Sequence, residues 1–215
     1  MAYEPFLELS YASALSEQTF EETAAYLRED GTRVDLKRRP PEGPYAFLGW
    51  LIPTAVILFM LKPYVEAFST ETGKLHADAL HKGLSALWNK VFGPKPEVVA
   101  TIVGTKGKAG PGVFSPVVSV KAKRNDGGDV TLLFPPSAST EHFFAAADRF
   151  IKLMETHYAL SGTDALTETM NLIRNPSNRS FQALVYMNPE TQKLELIDYV
   201  ESSRQRKLIT HRIPE

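Results

Sequence analysis

Between Tyr45 and Leu61 the chain reads YAFLGWLIPTAVILFML, seventeen residues without one charged side chain. Any fold must take this stretch out of water, because an apolar surface of that extent left in solvent aggregates. As a helix it is about 25 Å long at roughly 1.5 Å per residue, the lower edge of what crosses a bilayer core of about 30 Å. Leu51, Ile52, Val56, Ile57, Leu58, Phe59, Met60 and Leu61 cover every direction of such a helix, whereas a surface helix shows one apolar stripe. Its flanks suit a headgroup region, with Tyr45 and Trp50 at one end and Lys62 and Tyr64 at the other. Pro53 and Pro63 interrupt helical hydrogen bonding, which membranes tolerate better than exposed helices do.

The run is therefore expected to form a helix over 45–62 in contact with membrane lipid. The expected contact residues are Tyr45, Trp50, Ile52, Val56, Ile57, Leu58, Phe59, Met60, Leu61 and Lys62. Arg33, Lys37, Arg38 and Arg39 precede it closely, against Lys62 and Lys74 after it, which favours a cytoplasmic N-terminus. The competing expectation is a buried core helix in a cytoplasmic binding or oligomerisation module. Pairing with a second copy is the third fate.

The flanking segments predict an α+β fold. Over 1–39, Phe6–Tyr11 alternates as a strand, Phe20, Ala24 and Leu27 share one helical face, and Val34 and Leu36 share one strand face. That is a small β-α-β unit, too small to bury a core alone. Pro40, Pro41, Gly43 and Pro44 make 40–44 a stiff linker.

Over 63–93 an amphipathic helix is predicted from Val65, Phe68, Thr72, Leu75, Ala79, Leu80, Leu84, Leu87, Trp88 and Val91, with Gly93-Pro94 as its stop. His76 and His81 lie on it five apart, the wrong interval for metal ligands sharing a helical face.

Residues 96–200 read as a mostly antiparallel sheet with two helices. Strands are expected at 97–103, 113–122 and 129–134, the last two joined by the turn Asn125-Asp126-Gly127-Gly128. A helix follows over 141–158, with Phe143, Phe144, Ala147, Phe150, Ile151 and Met154 facing inward, then a shorter one over 164–173. Two further strands, 181–187 and 193–200, flank Asn188-Pro189-Glu190. Strands, helices, strands in that order suit helices layered on an antiparallel sheet. The tail, 201–215, is basic through Arg204, Arg206, Lys207 and Arg212, with Leu208 and Ile209 able to dock as a short strand.

The chemistry is sparse. The chain has no Cys, which excludes disulfides, thiolate metal sites and cysteine catalysis. With 24 basic and 25 acidic residues it lacks the cationic footprint of a nucleic-acid binder, so no nucleic-acid partner is expected. The loop Gly104–Gly112 carries Lys106 and Lys108 among glycines and is a candidate anion-binding loop, although it lacks the helix and the Lys-Ser/Thr ending of a P-loop. None of the five histidines has a partner that spacing nominates. No catalytic residue, metal site or cofactor is expected. The functional expectation is a non-catalytic, membrane-associated protein whose α+β part binds a protein partner or copies of itself, with an enzyme or phosphate-ligand binder using the Gly104–Gly112 loop as a further alternative.

Overall fold

The computed structural model describes residues 6–40, 54–68, 73–98, 113–136, 138–160, 163–173 and 182–214. In chain order the elements are β1 (Phe6–Ala12), α1 (Gln18–Leu27), β2 (Arg33–Arg39), β3 (Val56–Met60), α2 (Lys62–Ala67), α3 (Gly73–Val91), β4 (Val118–Lys123), β5 (Asp129–Leu133), α4 (Thr140–Leu160), α5 (Ala165–Leu172), β6 (Ala183–Met187), β7 (Leu194–Ile197), α6 (Tyr199–Gln205) and β8 (Thr210–Arg212). The fold is α+β. All eight strands join one sheet in the order β2-β1-β3-β4-β5-β6-β7-β8.

Four of the seven pairings are antiparallel: β1/β3, β4/β5, β6/β7 and β7/β8. The parallel pairs are each closed by a helical crossover, β1/β2 across α1, β3/β4 across α2 and α3, and β5/β6 across α4 and α5. The first β-α-β unit thus stands where the sequence predicts it, and it finds its missing packing surface by lending β1 to β3.

The apolar run is where expectation and structure part. Its described second half is not a helix but β3, seated between β1 and β4. Val56 is 0% exposed, and Leu58 and Met60 are 1% exposed, all within the protein's own core. A strand covered on both faces has no polar side and reads as a continuous apolar run, the same pattern that an all-round apolar helix gives. Ile57 is also buried, Phe59 and Leu61 are half-buried, and Lys62 is exposed. Tyr45, Trp50 and Ile52 lie outside the described residues, as do the loop residues Lys106 and Lys108 and positions 99–103 of the strand expected over 97–103, whose first two residues, Glu97 and Val98, are not in a strand. Among the described residues, no helix is long and apolar enough to cross a membrane.

One face of the sheet carries Leu7, Leu9, Val56, Leu58, Val118, Val120, Val130, Leu132, Val185 and Leu196 into the main core, against the inner faces of α1, α3 and α4. The expected amphipathic helix starts as two pieces, α2 and α3, which shifts the buried stripe. Leu75, expected inside, is 63% exposed, while His76, Ala79, Leu80, Gly83, Leu84 and Leu87 face inward. Gly83 lets α3 meet α1: a Cβ there would sit 2.4 Å from Leu27 Cδ2. In α4, Phe143, Ala147, Phe150, Ile151 and Met154 are buried as their helical spacing predicts. On the other sheet face, a smaller cluster of Phe114, Leu133, Leu184, Tyr186 and Ile197 is closed by Tyr199 of α6 and Leu208.

Candidate functional site

Histidines that spacing could not pair are paired by the fold. Four of the five face an aspartate: His76 with Asp30, His81 with Asp148, His157 with Asp164 and His211 with Asp198. Two of these pairs are buried, and they are built differently.

The first lies where the turn after α1 meets the start of α3. His76 Nδ1 donates to Asp30 Oδ2 at 2.5 Å, and Asp30 Oδ1 accepts the Thr32 N–H at 2.8 Å. The ring of Tyr64, from α2, stands 6.1 Å from the imidazole, with Phe68 packed beside both. Tyr64 is wholly buried and its hydroxyl has no hydrogen-bond partner among the described residues; Thr32 Oγ1 is orphaned there in the same way. Burial, reinforced by the Asp30 charge, pushes the Tyr64 phenol well above its usual range. The phenol therefore stays protonated.

The second lies where the end of α4 meets α5 and the β4–β5 turn. The backbone N–H of Asn125 donates to His157 Nε2 at 3.2 Å, which places the ring proton on Nδ1, and Nδ1 donates to Asp164 Oδ2 at 2.9 Å. Asn125 Nδ2 also donates to the His157 carbonyl at 2.9 Å. Asp164 caps α5, accepting from the Thr167 N–H at 3.1 Å and the Thr167 hydroxyl at 2.8 Å. Burial acts to raise the Asp164 carboxyl, but the bonds from Thr167 and His157 outweigh it and hold it below the usual carboxylate range. The adjoining turn wraps the Arg124 guanidinium, which donates to Asp126 Oδ1 at 2.9 Å and rests against Gly128, where a Cβ would come within 2.1 Å of Nη2.

A third buried acid, Glu195 on β7, accepts from Tyr186 Oη at 2.9 Å, Asn188 Nδ2 at 2.8 Å and Thr210 Oγ1 at 2.6 Å, which ties β6, β7 and β8 together. Burial and the Glu195 carboxylate push the Tyr186 phenol up to about 12. Among the described residues His142 faces no aspartate and its buried Nε2 has no partner, and burial lowers its pKa.

Each of these groups braces one element against another. Among the described residues, no group of three or more His, Asp or Glu side chains could hold a metal. A shallow groove of about 500 Å³ beside β2 is lined by Glu8, Glu17, Glu21, Asp35, Arg28 and Lys37, whose charges are largely paired with one another.

The exposed chemistry gathers instead at the turn from α6 to β8. Asp198 caps α6, its Oδ1 accepting the Glu201 N–H at 2.8 Å. The helix ends at Arg206, in the left-handed region with φ 54°. Ser202, fully buried, fixes the turn through Ile209, whose N–H donates to Ser202 Oγ at 2.8 Å. Arg204, Arg206 and Lys207 are all exposed on this turn, as is Arg212 on β8. The other non-glycine residue at positive φ, Gln192, gains a hydrogen bond there, its Nε2 donating to the Pro189 carbonyl at 2.8 Å. Among the described residues, Arg206 makes no such side-chain bond.

No family model matches the chain, and neither a curated protein nor a solved structure matches it.

Proposed function

We propose that the protein is a non-catalytic binding module that meets an anionic protein partner through the cationic turn between α6 and β8. The observation that carries this reading is Arg206. A non-glycine residue in the left-handed region costs about 1 kcal/mol that glycine avoids, and here it keeps an arginine on a turn otherwise fixed by Ser202. Arg204 and Lys207 flank it, so three long cations are held on a rigid frame instead of a loose tail. The buried His–Asp pairs support the non-catalytic half of the reading, because their polar atoms are committed to bracing. β3 supports a different role for the apolar run: Val56, Leu58 and Met60 are spent on the core.

The test uses the full chain on immobilised poly-glutamate across a salt gradient, beside the variant R206G/K207A. Wild type is expected to elute later, with the difference vanishing at high salt, while the variant is at least as stable to urea. Equal elution would remove the reading. A parallel flotation with phosphatidylserine-containing vesicles separates the anchor idea. Flotation that survives R206G/K207A but is lost in W50D would return the function to the 45–53 segment.

A further inference from the structure

We infer that His157 is a proton-operated latch, which holds the β4–β5 turn in place when neutral and releases it when charged. This stands apart from the binding turn and rests on different residues. The neutral imidazole has one donor and one acceptor nitrogen, and both are used: Nε2 receives the Asn125 N–H and Nδ1–H reaches Asp164. A charged imidazole has no acceptor. Its second N–H would then face the Asn125 N–H at the present 3.2 Å, two donors head to head. The ring is nearly buried, so water cannot take the freed amide without the turn moving.

The charged neighbours come from every packed element. Asp164 on the α5 cap bonds the ring, and Arg124 on the turn is bonded through Nη1 to Met170 Sδ at 3.1 Å. Asp126 partly offsets Arg124 at 2.9 Å. From α2, Lys62 reaches Asn125 Oδ1 at 3.3 Å and pairs with Glu66 at 3.7 Å. Lys123, paired with Asp129, accepts the Tyr158 hydroxyl on its carbonyl at 2.6 Å. A proton on His157 thus keeps the Asp164 bond and breaks the turn bond, so the turn is the part that opens.

The experiment is residue-resolved NMR on the 15N-labelled full chain from about pH 8 to about pH 5, the range in which imidazoles change charge. At high pH, His157 should show an unprotonated Nε2 and a protonated Nδ1. As it gains its second proton, Asn125 amide exchange, corrected for intrinsic base catalysis, should accelerate about tenfold. In H157Q, whose carboxamide oxygen can still accept the Asn125 N–H but does not titrate, the step should vanish while the other histidines titrate as before. A proton on Nε2 at pH 8, a His157 that stays neutral to pH 5, or a charged His157 with Asn125 still protected would each overturn the latch. Should H157Q fail to fold, the wild-type measurements decide alone.

Discussion

The two buried His–Asp pairs use the same residue types to opposite effect. At His157 every polar atom in reach is matched: the carboxylate by Thr167 and the imidazole, the imidazole by a backbone N–H. At His76 the pair itself is short, yet the Tyr64 and Thr32 hydroxyls beside it are buried without partners among the described residues. An unmatched buried hydroxyl costs about 1–3 kcal/mol. The difference teaches that a buried ion-pair motif says little about stability until its surroundings are counted.

The largest test of that contrast is removal of the acids. Asp164→Ala should cost about 3–5 kcal/mol in urea unfolding, because it takes away the α5 cap and the Thr167 bonds together with the His157 partner. Asp30→Ala should cost clearly less, since it takes away the His76 and Thr32 bonds but no helix cap. Equal losses would erase the distinction between the sites. Next in size, Tyr64→Phe should stabilise the protein by about 1 kcal/mol by deleting an orphaned hydroxyl, whereas Thr167→Val should destabilise it; a loss from Tyr64→Phe would mean the hydroxyl is satisfied after all.

Acid sharpens the same comparison. The Asp164 carboxyl is depressed in the folded state, so its stabilisation is present above the ordinary value of 3.8 and disappears as pH falls through the lower folded value. Replacing Asp164 should therefore flatten the stability curve below about pH 4. The smallest effect is expected at His142. Its lowered pKa means the unfolded chain takes the proton first, so folding loses a little stability as pH falls below 6.5, a slope that His142→Phe should remove.

Much of the secondary structure was legible. The β1-α1-β2 unit follows from alternation at Phe6–Tyr11 and a helical face of Phe20, Ala24 and Leu27, and α4 from the spacing of Phe143, Phe150 and Met154. The sites were not legible. Asp30 and His76 are 46 residues apart, and the Asn125 amide meets His157 across 32, separations at which no spacing rule applies. Of the shorter helices, α5 follows from the pattern over 164–173, whereas α6 occupies a stretch that reads as a strand end and a basic tail; nothing local tells that their caps, Asp164 and Asp198, also face histidines.

By itself the sequence determined where the chain alternates, where it turns, and that Tyr45–Leu61 must avoid water. Only the tertiary structure decided how the described part of that stretch avoids it. Val56–Met60 became an inner strand because β1 and β4 supply hydrogen bonds on both edges. Side-chain period reports how many faces are dry, and a segment dry on all of them carries no record of whether its backbone bonds run along the chain or across it.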